Sequence, residues 1–267
     1  MIIRRLFASV IVWGTAMAAV AGGLDDLKSL YKAREFAGKD GGKLLVRLMP
    51  PKDYDAKQKY PLVLVLHGAG GRGDDNWGQV RDQSLPFQQL ASDEMRAKHP
   101  CFVVAPQCPG GKQWVNWPWG KGSYSQDKVA VSPELKRTVE LLDALAKEFR
   151  IDADRVVVTG LSMGGYGCWD IILREPKRFA AAVPICGAGD PSRAATVQHV
   201  AVWAFHGDKD GVVPVRGSRE MVAALKAAGA EPKYGEFPGV GHFAWIPAYK
   251  TPGLWDWVFG QRRTPAS

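Results

Sequence analysis

The sequence is short of most features that mark specialised classes of protein. Its 267 residues contain only four cysteines, and no internal repeat or low-complexity tract is visible. The cysteines and histidines lack the spacing of a metal site, so no metal is expected. The formal charge is +8, yet Lys and Arg are scattered among acids with no run or stripe. That pattern reads as a solvated basic surface and argues against a nucleic-acid partner. Beyond residue 21 no stretch is long and apolar enough to span a membrane. What remains is ordinary globular composition, 46% hydrophobic and 23% charged, enough for one large domain.

The first residues read "MIIRRLFASVIVWGTAMAAVAGG". Arg4 and Arg5 lead an apolar stretch, and Ala19-Val20-Ala21 fits an A-x-A cleavage site. The expectation is a signal peptide over 1–21 and a single domain over 22–267, in a secreted or periplasmic protein with no stable membrane insertion after cleavage. A cut after Ala18 fits almost as well, and an uncleaved anchor is the alternative. Export permits disulfides. However, "CFVVAPQC" reads as one strand, and seven extended steps separate Cys101 from Cys108 by about 23 Å. A disulfide needs Cα atoms within about 7 Å. Cys168 falls in a predicted helix and Cys186 at a strand end, so free, buried thiols are expected.

The apolar runs are short, β-branched and not alternating. They lie at 61–68, 101–107, 155–160, 179–186 and 200–207, and such runs suit strands buried on both faces of a parallel sheet. Residues 43–50 look like an earlier strand, joined to the first buried one by a hairpin-like loop. The best helix is 132–149, with Ser132 as N-cap, Pro133 at the first position and Leu135, Val139, Leu142, Leu145 and Phe149 near a 3.6 period. Others are expected at about 86–98, 164–174, 216–228 and 253–260, and the tail "RRTPAS" is expected to be disordered. Strand alternating with helix predicts an α/β class fold, a three-layer α/β/α sandwich with a mostly parallel sheet.

"RVVVTGLSMGGYG" holds Gly160-Leu161-Ser162-Met163-Gly164 between a strand and a helix. This G-x-S-x-G marks a nucleophile elbow, a strained turn whose flanking residues must be small. A serine hydroxyl needs a base to take its proton. Of five histidines, His67 and His99 precede the serine, His199 lies on the wrong edge of the sheet, and the sequence around His206 suits another role. His242, in the Gly-rich "PGVGHFAW", is the expected base. An acid between Ser162 and His242 would hold the imidazole. "HGDKDGVVP" supplies Asp208 and Asp210, with Asp190 a minor contender; spacing alone does not choose between the first two.

"HGAGG", "GLSMGG", "HGDKDGVVP" and "GVGH", in that order, resemble the α/β-hydrolase superfamily. The likeness is to secreted esterases of the phospholipase/carboxylesterase and dienelactone-hydrolase-like branch. Polyester depolymerases, feruloyl and acetyl-xylan esterases and predicted peptidases lie close by. It spans residues 43–260 and implies an α/β-hydrolase fold. In that pattern the acid is the D of H-G-x-x-D-x-x-V-P, which is Asp210 here. Ser162 stands where dienelactone hydrolases usually carry cysteine, which argues for ester chemistry. One oxyanion donor is the N–H after the nucleophile, Met163. By resemblance the other is Ala69, with Gly68 less favoured and the glycines freeing the loop to turn that N–H inward.

Gly68, Gly70 and Gly73 also match a dinucleotide-binding spacing. That turn needs a helix opening on the glycines and an acid about 20 residues on, and neither follows. No cofactor is expected. "WVNWPWGKGSY" offers Trp114, Trp117, Trp119 and Tyr124 as an aromatic wall, joined by Phe243 and Trp245 beside the base. The expectation is a secreted serine carboxylesterase acting on a small-molecule or polymeric ester, such as a feruloyl or acetyl ester of plant cell walls. A serine peptidase of the same fold and a non-catalytic binding protein on this scaffold are the alternatives.

Overall fold

A computed structural model describes residues 23–263. The expected signal peptide and the last four residues lie outside them. In chain order come α1 (Leu24–Leu30), β1 (Lys32–Ala37), β2 (Lys43–Met49), β3 (Tyr60–Leu66), α2 (Gly78–Arg81), α3 (Ser84–Ala91), α4 (Asp93–Lys98) and β4 (Phe102–Gln107). Then follow α5 (Pro133–Glu148), β5 (Ile151–Leu161), α6 (Met163–Arg174), β6 (Ala181–Ile185) and β7 (Ala201–Gly207). The chain continues with α7 (Arg216–Ala227), β8 (Lys233–Phe237), α8 (Trp245–Tyr249) and α9 (Leu254–Gly260). The strands form one sheet in the order β1-β2-β4-β3-β5-β6-β7-β8. β1, β2 and β4 pair antiparallel, and every pairing from β4 to β8 is parallel.

The non-alternating runs are buried because helices cover both faces. On β3, Leu62, Leu64 and Leu66 enter a core shared with Leu142 and Leu145 of α5, Ile171 of α6 and Leu225 of α7. Val63 and Val65, pointing the other way, pack with Leu27 of α1, Phe87 and Leu90 of α3, Tyr249 of α8 and Val258 of α9. Each such side chain contributes about 1.5–3 kcal/mol on burial, set against the entropy of ordering it. The result is the expected three-layer sandwich, an α/β-hydrolase fold. α5 starts as predicted: the Ser132 hydroxyl accepts from Leu135 N–H at 3.1 Å and donates to Trp114 O at 2.7 Å.

Three expectations need correction. β2 does not form a hairpin with β3; it pairs with β1 and β4, and β3 lies beyond β4. A strand buried at every position belongs at the sheet centre between two parallel partners, and β3 finds them in β4 and β5. The helix expected over 86–98 breaks at Ser92, whose extended backbone and side-chain bond to Met95 N–H start a second helix. Part of the C-terminal tail is docked: Arg263 donates from its backbone to Asp154 O at 2.7 Å and from Nη2 to Asp154 Oδ1 at 2.9 Å. All four cysteines are free and buried, as expected.

The central turn is the passage from β5 into α6. Ser162 has φ 55° and ψ −119°, a backbone state that L residues adopt only under constraint. The helix then crosses the strands at backbone contact. A Cβ on Gly160 would lie 2.6 Å from both Leu66 O and Gly164 O, and one on Gly164 would overlap Leu66 O. By contrast, a Cβ on Gly70 would meet nothing within 4 Å. Gly164→Ala is therefore expected to cost at least about 1–3 kcal/mol, and Gly70→Ala less than about 0.5 kcal/mol either way. Urea denaturation of the two variants checks this; equal midpoints would contradict the packing.

Candidate active site

The residues singled out in the sequence converge at the carboxyl ends of the parallel strands, where ligand sites of open α/β sheets lie. Ser162 follows β5, and its N–H is held by Ile185 O of β6 at 2.9 Å. Asp210 follows β7 by three residues, and His242 lies in the loop after β8. Gly239 takes φ 74°, turning that loop back toward the serine. The loop is pinned there by Gly239 N–H donating to Asp208 Oδ1 at 2.7 Å. Asp208 thus shapes the loop while Asp210 meets the imidazole.

His242 Nε2 lies 2.9 Å from Ser162 Oγ, and His242 Nδ1 lies 2.8 Å from Asp210 Oδ2. The Asp210 side chain is wholly buried, and that of His242 is 16% exposed. Asp210 Oδ1 accepts from the N–H groups of Val212 and Val213 at 2.8 and 2.9 Å. Oδ2 is also 3.2 Å from His206 Nε2. Burial pushes the Asp210 carboxyl up, but hydrogen bonds from His206, His242 and the two backbone donors outweigh it. The net result lies far below the ordinary carboxylate value, so Asp210 is an anion across the working pH range. The set can therefore take a proton from Ser162 onto His242 and hold the resulting charge against a fixed carboxylate.

The loop after β3 is held by a histidine. His67 is buried, and its Nε2 accepts from Cys108 N–H at 2.9 Å, which leaves the proton on Nδ1, 2.6 Å from Gly68 O. Burial pulls His67 down to about 4, so it is neutral. Gly68 O also accepts from Gly71 N–H at 3.1 Å. In a trans peptide the next N–H, that of Ala69, points the opposite way. Gly68 N–H is already bonded to Gln83 Oε1 at 2.9 Å. Among the described residues neither Ala69 N–H nor Met163 N–H has a protein acceptor. The glycines act differently from expectation. Residues 69–71 form one 3₁₀ turn without positive φ, and Gly71 is small because the His67 ring lies against it.

Of the aromatic residues expected to face substrate, Trp114 does not. It is fully buried, with its indole N–H on His67 O at 2.9 Å and its ring edge-on to His67 at 5.1 Å. It therefore braces the loop after β3. Tyr124 is buried too, donating to Asp170 Oδ1 at 2.6 Å. Trp117 and Trp119 stay half-buried on the same loop, which is moored to two helices. Tyr166 of α6 donates to Trp119 O at 2.6 Å, and Arg216 of α7 donates to Lys121 O at 3.2 Å. Trp245 stands edge-on to His242 at 5.4 Å, and the neighbouring Phe243 is 65% exposed.

Two contributors went unassigned in the sequence: His206 on the acid and Gln83 on the loop. Four-residue spacing from Asp210 at a strand end signals the first, and nothing local signals the second. Cys186 Sγ, His206 and Asp210 place possible ligand atoms within 4.8 Å of one another. Their chemistry is that of a hydrogen-bond cluster. His206 Nε2 faces only acceptors, Val213 O and Asp210, so it carries a proton and has no free lone pair. Burial, then the nearby Asp210, pushes the Cys186 thiol well up. No helix among the described residues is long and apolar enough to cross a membrane.

Comparison with known proteins gives the family. The Esterase family, described as "Putative esterase", matches residues 40–219. A solved structure titled "Crystal Structure of a Thermostable Esterase" superposes with TM-score 0.79 at 36% identity, covering 88% of this chain and 64% of that one. Dipeptidyl-peptidase 5 of Porphyromonas gingivalis is 27% identical over 190 residues, which is 66% of this chain and 25% of the peptidase. "Probable feruloyl esterase C" of Aspergillus niger is 26% identical over 197 residues, 73% of this chain and 66% of that protein. The chain thus spans only about a quarter of the peptidase's length. On the match over residues 40–219, the chain belongs to the esterase family.

Proposed function

We propose that the protein is a secreted or periplasmic serine carboxylesterase. The observation behind the reading is the unbroken hydrogen-bonded series Ser162, His242, Asp210, at 2.9 and 2.8 Å, on a serine held at positive φ. Ser162 Oγ attacks the ester carbonyl carbon while its proton passes to His242 Nε2. The carbonyl oxygen becomes an oxyanion, received by the N–H groups of Ala69 and Met163, each such donor being worth about 2.7–4 kcal/mol. Collapse expels the alcohol, which takes the proton from His242, and leaves an acyl-serine. Water then repeats the sequence and releases the acid. Asp210 stays an anion throughout and stabilises the imidazolium.

The half-exposed Trp117 and Trp119, with Phe243 and Trp245 beside the base, suit an aryl or sugar-linked ester. The feruloyl esterase relative makes feruloyl and acetyl esters of plant cell walls the first substrates to try. A second reading, a serine peptidase, is favoured by the likeness to dipeptidyl-peptidase 5. Kinetics on aryl, acyl, feruloyl, acetyl-sugar and peptide substrates separate the two. The proposal expects ester turnover that Ser162→Ala lowers by at least about 10⁴-fold; turnover of peptides alone would replace it with the second reading. The double variant Trp117→Ala, Trp119→Ala is expected to lose about tenfold in kcat/KM on feruloyl esters, the equivalent of about 1.4 kcal/mol of ring contact. It should lose little on a small acetyl ester, and an equal effect on both would show that the rings only pack the loop.

A further inference from the structure

His206 is fully buried at the end of β7 and is spent on neither substrate nor solvent. Its Nε2 lies 3.1 Å from Val213 O and 3.2 Å from Asp210 Oδ2. Both are acceptors, so Nε2 must bear a hydrogen. Its Nδ1 lies 2.7 Å from Ser218 Oγ, and that hydroxyl is also 3.0 Å from Gly187 O. Gly187 in turn packs directly on Gly165 of α6, the helix that Ser162 begins. The contacts therefore close a ring: Ser162, His242, Asp210, His206, Ser218, Gly187 and back to the elbow helix.

From this ring we infer that His206 is a positioning residue for the reaction. It is the second imidazole on Asp210, fixing the carboxylate relative to the elbow and drawing off part of the charge that Asp210 presents to His242. The inference rests on reading Ser162, His242 and Asp210 as the reacting set. Among the described residues Asp210 has four nitrogen donors, two backbone N–H groups on Oδ1 and two imidazoles on Oδ2. Among the same residues, removing His206 leaves His242 as the one imidazole on Oδ2, with the Cys186 thiol also against the carboxylate, and lets the carboxylate rotate. It also concentrates negative charge on the oxygen that faces His242, which favours the imidazolium. The direction is the same whether His206 is neutral or charged, because either form donates from Nε2.

Other ionisable groups surround the pair, among them Asp208, which accepts from Gly239 N–H. Burial, then Asp210, pushes Cys186 after β6 up. Burial likewise raises Tyr166 on α6, which has Arg216 of α7 beside it. Glu236 on β8 is held down at about 2 by Arg219 of α7, 2.6 Å away, with Tyr234 bonded to the same carboxylate. The raised Cys186 thiol and Tyr166 phenol stay neutral, and Glu236 stays an anion, where an esterase would be assayed.

The test compares wild type, His206→Phe and His206→Gln on 4-nitrophenyl acetate, with kcat, KM and the pH profile of kcat/KM. Phe fills the ring volume without a donor; Gln restores an N–H near the Nε2 position. The Phe variant is expected to lose about 10²-fold in kcat with KM within about twofold, and to show its acid limb displaced to higher pH. Gln should recover most of the rate and the wild-type limb. A folded Phe variant with an unmoved limb, or a Gln variant no better than Phe, would overturn the role. ¹⁵N NMR of histidine-labelled wild type needs no variant. It should show a proton on His206 Nε2, and a neutral ring protonated only on Nδ1 would equally overturn it. Wild type that hydrolyses no ester would instead remove the esterase reading itself.

Discussion

The structure turns on how closely α6 approaches the strands that flank it. A serine can be held with φ 55° at the tip of β5 only if the turn around it is over-determined, and here backbone contacts supply the constraint. Gly160 and Gly164 bring strand and helix against Leu66, and Gly165 brings the helix against Gly187. The crossing carries the serine hydroxyl out of the sheet toward His242. It also places Met163 N–H at the start of a helix, where partial positive charge accumulates. It puts Tyr166 one turn on, where its hydroxyl holds the tryptophan loop.

Around that turn the site is organised by saturating its polar groups. Asp210 accepts from two imidazoles and two backbone N–H groups, which is why a wholly buried carboxyl remains an anion. His67 reaches the opposite result by the same physics. Buried with one donor and one acceptor, it is fixed as a neutral brace and orients the Gly68–Ala69 peptide. A charge is kept where the proposed mechanism needs one, and excluded where a rigid backbone N–H is needed.

Much of this was legible in the sequence. Non-alternating β-branched runs imply strands covered on both faces, and β3, β4 and β6 are buried at every position. The start of α5 is written in Ser132 and Pro133. The motifs named Ser162, Asp210 and His242, and the fold brings those three into hydrogen-bonding distance. Strand neighbours were less legible, since β2 chooses β4 through contacts distant in sequence. Trp114 shows a related gap: in a glycine-rich loop an indole facing inward reads the same as one facing outward. Its carbonyl partner, on His67, is 47 residues away. Ser92 reads equally as a helix residue or a cap. His206 was visible as a residue, but its grip on Asp210 depends on how the chain after β7 folds back.

The central claim is that Ser162 is a nucleophile activated by His242 and fixed by Asp210. Its most direct test is labelling with a fluorophosphonate probe, followed by mapping of the modified peptide in wild type and in His242→Ala. The account predicts a single adduct on Ser162, formed in wild type and slowed severely without the histidine. An unlabelled wild type, or an adduct on any other residue, would contradict it.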